Sequence, residues 1–211
     1  MIGNTLKRYQ PDFRYLCDDA ETEGLNLFFS RPWEIAWLIA DSKMIYEEEV
    51  HYPCFPDLKV SAQAALITGF NFADYKAKSE DPVKVLNRWE ERIYDKSLGV
   101  LRQNGFYDGY IHATLRRLCG KDPRPDWSWY SRYWDTNCLS KAYRKEIKPD
   151  LSNMEIWHWK IQSIHEKLKT KLGVMCAEFK IPFDERESHK ASYDIRKTRE
   201  LFEVAKWQIE I

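Results

Sequence analysis

The longest uninterrupted apolar run in the chain is Ile35-Ala36-Trp37-Leu38-Ile39-Ala40. It is far too short to cross a bilayer. A solid apolar block of this length predicts a strand buried on both faces of a sheet, over Trp33 to Ala40. Phe13 to Cys17 predicts a shorter strand before it, ending at Asp18-Asp19. Met44 to His51 predicts an antiparallel partner after it, joined through Asp41-Ser42-Lys43. Ser61 to Thr68 reads as a short helix stopped by Gly69. Asp81-Pro82 opens a longer helix with a cap and a first-turn proline. Val85, Leu86, Trp89 and Ile93 give that helix an apolar face at helical spacing.

Leu98 to Arg102 predicts a fourth strand, ending at Gln103-Asn104, and Phe106 to Leu118 the helix that follows. Gly120 and Pro123 stop that helix. Trp129 to Thr136 reads as a fifth strand and Cys138 to Lys145 as a short helix. Ser152-Asn153-Met154-Glu155 is a capping box. It opens a helix whose stripe is Met154, Trp157, Ile161, Ile164, Leu168 and Leu172, most simply a core or sheet-covering face, with a flap or partner surface as the other reading. A last helix begins near His189 and turns Ile195, Leu201, Phe202 and Ala205 inward. An antiparallel edge followed by β-α-β-α alternation predicts a mixed α/β fold with helices covering a central sheet.

Composition narrows this little further. The 211 residues are 44% hydrophobic and 15% aromatic, which fits one domain over 1–211 with a sizeable core and argues against disorder. The 33 basic and 33 acidic residues balance. That excludes a uniformly basic nucleic-acid coat but leaves room for a local basic groove. Acids dominate from Asp12 to Glu49 and bases from Lys141 to Lys180. Such asymmetry fits a cation site on one side and a polyanion on the other, or simply two solvated faces. The five cysteines are scattered, with no C-x-x-C pair, and no apolar signal region opens the chain. A reducing, intracellular (cytoplasmic) setting without membrane contact is expected.

Three clusters carry chemistry. Asp19 and Glu21 form a D-x-E pair at a strand end, and strand side chains two apart share one face. Two carboxylates aimed at one point repel each other unless a cation sits between them, and oxygen ligands of this kind suit Mg²⁺ or Mn²⁺. A lone D-x-E pair is most often a solvated turn. Asp108, in Asn104-Gly105-Phe106-Tyr107-Asp108, sits where a helix N-terminus favours its charge. Tyr107 beside it is expected to point away. His189 and Asp194, in His189-Lys190-Ala191-Ser192-Tyr193-Asp194, bracket the start of the last helix, where a histidine can act as a general base or simply as a cap.

Taken together, these segments resemble the DEDDh 3′–5′ exonucleases, relatives of polymerase proofreading subunits, ribonuclease T and oligoribonuclease. Asp19-Ala20-Glu21-Thr22-Glu23-Gly24-Leu25-Asn26 is similar to the family's D-x-E-T-x-G-L-N motif. Asn104 to Asp108 is similar to N-x-x-F-D, with Tyr107 in place of the phenylalanine. Arg31 to Ile35, Trp134-Asp135-Thr136 and Leu172 to Pro182 resemble connecting stretches, and His189 and Asp194 match the third motif. The resemblance implies a ribonuclease H-like fold and a phosphodiester hydrolase. It also implies two divalent ions, Mg²⁺ or Mn²⁺, held by Asp19, Glu21, Asp108 and Asp194, with His189 as general base. Thr22, Gly24, Leu25, Asn104 and Phe106 are the expected substrate-binding residues, although Phe106 reads equally well as core.

Three departures stand out. Pro149 to Lys171 is longer than the family pattern, so the helix near 152–172 reads as an insertion. Gln103 stands where the family usually has histidine. Asp126 to Tyr130 is unusually aromatic. The expected substrate is DNA, single-stranded or frayed at its 3′ end, released as nucleoside 5′-monophosphates. RNA is the runner-up, since it turns on whether the pocket accepts a 2′-OH. A binding module that has lost chemistry is a third reading; its signature would be a missing ligand, and all four acids and the histidine are present.

Overall fold

Five strands, β1 (Tyr15–Thr22), β2 (Pro32–Ala40), β3 (Ile45–His51), β4 (Gly99–Arg102) and β5 (Tyr133–Asp135), form one sheet in the order β3-β2-β1-β4-β5. β1–β2 and β2–β3 pair antiparallel, and β1–β4 and β4–β5 parallel. The structure is a computed structural model and describes residues 12–26, 28–124, 128–148 and 153–208. The helices are α1 (Ala62–Thr68), α2 (Phe72–Lys78), α3 (Pro82–Ile93), α4 (Phe106–Leu118), α5 (Thr136–Lys145), α6 (Met154–Gln162), α7 (Leu172–Glu178) and α8 (Ala191–Gln208). None is long and apolar enough to cross a membrane.

Every residue of β2 is buried, because layers cover both faces of the sheet. On one face Leu16, Ala20, Ile35, Trp37 and Ile39 pack against Val85, Leu86, Trp89 and Ile93 of α3 and Ile111 and Leu115 of α4. On the other, Tyr15, Cys17, Ala36 and Leu38 pack against Leu139 and Ala142 of α5, Trp157 and Ile161 of α6, and Ile195 and Phe202 of α8. The apolar stripes expected on α3 and α8 are the ones buried. Asp81 caps α3 through the Val83 and Lys84 amides with Pro82 at its first position, and Gly69 ends α1 at φ 71°.

Several boundaries move. β1 runs on to Thr22, past the acids expected to end it, because β2 continues the ladder as far as Pro32↔Thr22. The pairing, not local polarity, sets the strand end. Trp129 to Thr136 is not one strand. Tyr130–Arg132 is a 3-10 turn, only Tyr133–Asp135 pairs, and Asp135 caps α5 through the Asn137 and Cys138 amides, so that helix begins at Thr136. The helix near 152–172 is shorter than its stripe. Asn153 caps it and it stops at Gln162, where Ser163 bonds back to the Lys160 carbonyl. Lys141 Nζ takes the Gln162 and Ile164 carbonyls beyond. Ser152 lies outside the described residues, Ile164 and Leu168 lie in irregular chain, and Leu172 opens the separate α7. The short α2, capped by Asn71, has no counterpart in the hydrophobic pattern.

Two ionic networks, one buried and one partly exposed, fix the helix that follows β4. Arg102 is fully buried, and its Nε and Nη2 donate to the two oxygens of Asp18 at 2.6 and 2.7 Å. Trp89 Nε1 donates to the same carboxylate at 2.7 Å, and Trp129 lies against the guanidinium, 4.5 Å from its ring centroid. On the outer side, Glu90 of α3 meets Arg116 and, at 2.7 Å, Lys121 beyond α4, with His112 Nε2 at 3.3 Å. Burial pushes the Glu90 carboxyl up, but hydrogen bonds from His112 and Lys121 and the nearby positive charge outweigh it and hold its pKa at about 2.

Arg102→Met should cost about 3–5 kcal/mol in urea unfolding, because it strands the Asp18 charge in the core. Adding Asp18→Leu should recover much of that loss. Glu90 has a depressed folded-state pKa, so its contribution is complete above about pH 4.5 and vanishes as pH falls through about 2. Glu90→Gln should therefore lose roughly 1–3 kcal/mol at pH 7, after allowance for solvent screening. Its stability curve should converge with that of the native chain by pH 2.

Candidate active site

The two-residue period of β1 separates its acids. Asp18 faces the α3–α4 layer and its Arg102 partner. Asp19 and Glu21 share the opposite face with Tyr15 and Cys17, the side covered by α8. Asp108 arrives in the first turn of α4 and Asp194 in the first turn of α8. These four carboxylates converge. Asp19 feels the charges of Asp108, Glu21 and Asp194, and Glu21 those of Asp194, Glu34 and Asp108. Glu21, Asp194 and His189 each bring a ligand atom within 4.8 Å of the other two.

Their electrostatics are unfavourable as they stand. Burial, then mutual repulsion, pushes Asp19 and Glu21 well above the usual carboxylate range. Burial is also the main cause that pushes Asp108 up to about 8, Arg102 opposing it, and Asp194 up to about 6, where the His189 amide and ring oppose it. One oxygen each of Asp108 and Asp194 is buried with no hydrogen-bond partner. Buried acceptors left unpaired are costly. A set of converging oxygen donors with open lone pairs fits a hard divalent cation, which would offset the repulsion and occupy the orphaned acceptors.

The loops that deliver these acids are specified locally. Asn104 takes a left-handed φ of 62°, and the Asn104 and Gly105 amides donate to Asp135 at 3.0 and 3.3 Å. Tyr133 donates its hydroxyl to the same carboxylate at 2.7 Å. A Cβ on Gly105 would sit 2.5–2.6 Å from the Arg102 side chain and the Tyr133 hydroxyl, so only glycine lets α4 start here. At the other helix, His189 is exposed with φ 64° and donates its backbone N–H to Asp194 at 3.2 Å. A non-glycine residue held in that region is strained backbone, here tied by its own carboxylate neighbour.

Glu34 adds a fifth carboxylate that the D-x-E spacing did not single out. It pairs with Glu21 across β1–β2, is buried, and accepts the Ser192 amide at the start of α8. Burial raises its pKa to about 7, with Lys190 and Lys78 opposing. The signal was available in the register of two adjacent strands, which places Glu34 opposite Glu21.

The remaining expected residues divide. Thr22 and Gly24 lie beside the cluster, and Tyr107 does not point away. Its hydroxyl meets Thr22 Oγ1 at 3.0 Å and the Gly24 carbonyl at 3.3 Å. The helical turn that aims Asp108 at Asp19 turns Tyr107 onto the end of β1. Leu25 is 91% exposed. Asn104 is exposed next to Asp135, its Oδ1 3.5 Å from Asn137 Nδ2, and Phe106 is half-buried with its ring 5.9 Å from that of Tyr130.

A mixed sheet of this order, with acids delivered from its central strand and two flanking helices, is a ribonuclease H-like α/β fold. Residues 16–202 match the family model of the ribonuclease T-type exonucleases. The chain belongs to that family, the DEDDh-type 3′–5′ exonucleases. Among solved structures it is similar to the zinc-bound form of the Escherichia coli exonuclease I–single-stranded DNA complex, at 20% identity over 93% of this chain and 41% of that one, with a TM-score of 0.72. E. coli exonuclease I in complex with a dT13 oligonucleotide gives the same identity and TM-score, covering 93% of this chain and 42% of that one. A further exonuclease I structure matches at 22% identity, with coverage of 93% and 41% and a TM-score of 0.72. The chain thus spans about two fifths of the exonuclease I chains it resembles. No curated protein matches it.

If the carboxylates strain one another, removing one should stabilise the metal-free protein. In EDTA, Asp108→Asn should raise the Tm by several degrees, on the order of 1–3 kcal/mol. Adding Mn²⁺ should raise the Tm of the native chain and shift the variant much less. An unchanged or lower Tm for the variant in EDTA would mean that Asp108 is already compensated.

Proposed function

We propose that residues 1–211 act as a divalent-metal-dependent exonuclease unit that removes nucleoside 5′-monophosphates from the 3′ end of single-stranded or frayed DNA. One observation carries this reading. Four carboxylates and a histidine, scattered from 19 to 194 in sequence, converge with buried oxygens left unpaired. Family membership supports hydrolysis of a phosphodiester. The neighbours crystallised with single-stranded DNA support that substrate for this chain.

Asp19, Glu21, Asp108 and Asp194 would hold two Mg²⁺ or Mn²⁺ ions, which when bound supply an ionised water and relieve charge on the leaving oxygen. The protein's own groups do the rest. His189 stands at the exposed rim of the cluster, beside Glu21 and Asp194. Its imidazole takes the proton of the attacking water as general base. Asp194, by accepting the His189 amide, fixes the ring's place at the start of α8. Thr22, Gly24 and Leu25 receive the terminal nucleotide next to Glu21. Asn104 and Phe106, across the α4 start, contribute through the loop that aims Asp108. Leu25 offers an apolar surface for the last base.

Single-stranded DNA labelled at the 5′ end and incubated with Mg²⁺ or Mn²⁺ should give a ladder that shortens from the 3′ end. A 3′ label should appear first as mononucleotide. EDTA or Asp19→Ala should abolish the reaction, and His189→Ala should lower kcat by roughly 10²- to 10⁴-fold. Matched RNA should be cut more slowly. Internal cleavage, trimming from the 5′ end or activity in EDTA would each reject the reading.

A further inference from the structure

Beyond the acidic cluster, the large apolar rings of Phe28 and Phe29 stand in solvent. Phe28 is 61% exposed and Phe29 68%. Two adjacent exposed phenylalanines present apolar area that costs hydration unless it serves a contact.

The residues that flank and carry the rings are tied by hydrogen bonds. The Phe29 and Ser30 amides donate to the Asn26 carbonyl at 3.1 and 2.8 Å, the Phe28 amide to Asn26 Oδ1 at 3.1 Å, and the Asn26 amide to Ser30 Oγ at 3.0 Å. The outer face of α4 supports the turn. Tyr107, Tyr110 and Arg117 lie on one side of that helix by its 100° period. Tyr107 holds Gly24, Tyr110 meets the Phe28 ring edge-on at 5.5 Å, and Arg117 donates to the Phe28 carbonyl at 2.9 Å. The Arg117 guanidinium also sits 5.7 Å from the centre of the Phe29 ring. The helix that brings Asp108 into the acidic cluster therefore also buttresses the two rings.

Rings held in place lose little freedom on binding, and an edge-on neighbour leaves the face of Phe28 accessible. The chemistry recognised is that of stacked bases with phosphates between them: aromatic faces for the bases and one arginine for the backbone charge. Arg117 favours this over an apolar peptide segment, which would need no cation beside the rings.

We infer that Phe28 and Phe29, buttressed by α4, form a stacking platform for bases upstream of the terminal nucleotide of a single strand whose 3′ end lies at the acidic cluster. This rests on the exonuclease reading above and names a binding surface outside the cluster. The platform makes affinity depend on strand length and on bases beyond the last one, without preference for sequence. It has no role in breaking the bond.

The test separates the two readings with two substrates. The p-nitrophenyl ester of thymidine 5′-monophosphate offers the acidic cluster one nucleotide with an aryl leaving group and has nothing to place on the platform. A dT12 strand engages both. With Mg²⁺, the Phe28→Ala/Phe29→Ala chain should hydrolyse the aryl ester with native kcat and KM, while its KM for dT12 rises roughly 10- to 100-fold. Phe28→Leu/Phe29→Leu should fall nearly as far, and Phe28→Tyr/Phe29→Tyr should stay near native, since stacking and not bulk is required. Abasic sites at the second and third positions from the 3′ end should weaken dT12 for the native chain and leave the alanine variant almost unchanged. Native KM for dT12 in the alanine variant, with the aryl ester still hydrolysed, would overturn the platform and leave the patch as a protein contact. A native chain that hydrolyses neither substrate would defeat the exonuclease reading, and the platform with it.

Discussion

The alternation of side chains along β1 is the constraint on which the molecule turns. Two consecutive acids, Asp18 and Asp19, leave the strand on opposite faces. One meets a buried guanidinium that satisfies both of its oxygens. The other meets three further carboxylates. A one-residue slip of β1 against β2 would exchange them, aim Asp19 at Arg102 and leave the acidic cluster without its centre. The antiparallel ladder with the wholly buried β2 prevents that slip, because it would also turn Leu16 and Cys17 onto the wrong layers.

The same constraint ties stability to chemistry. Arg102 and Asp18 lock β4 to β1, and Asp135 gathers the Asn104 and Gly105 amides just beyond. Together they set where α4 begins and so where Asp108 points. At α8 the tie is smaller, one amide of Ser192 on Glu34 and one of His189 on Asp194. A well-compensated ionic network thus supports an uncompensated one. Proteins commonly store strain in this way at sites whose ligand relieves it.

Much of the fold was legible because the patterns are strong. The solid apolar block of β2, the Asp81-Pro82 start of α3 and the glycine stop of α1 are statements of local chemistry, and tertiary contacts did not override them. The D-x-E pair was legible for the same reason, since a period of two is intrinsic to a strand. What the sequence hid depends on partners far along the chain. Asp18 and Asp19 look alike until Arg102, 84 residues away, claims one of them. Tyr107 looked outward because its partners Thr22 and Gly24 belong to another element. The extension of β1 to Thr22 and the early end of α6 follow from a neighbouring strand and from Lys141, and neither is visible in a window of ten residues.

The central claim is that the acids around Asp19 are arranged for divalent cations and are not a structural accident. Direct titration of the metal-free protein with Mn²⁺, read by calorimetry and by loss of the free-ion electron spin resonance signal, tests it without reference to any substrate. Saturable binding of two ions per chain is expected, with at least one lost in Asp19→Asn and none lost in Glu90→Gln. Absence of saturable binding at millimolar Mn²⁺, or binding unaffected by Asp19→Asn, would contradict it.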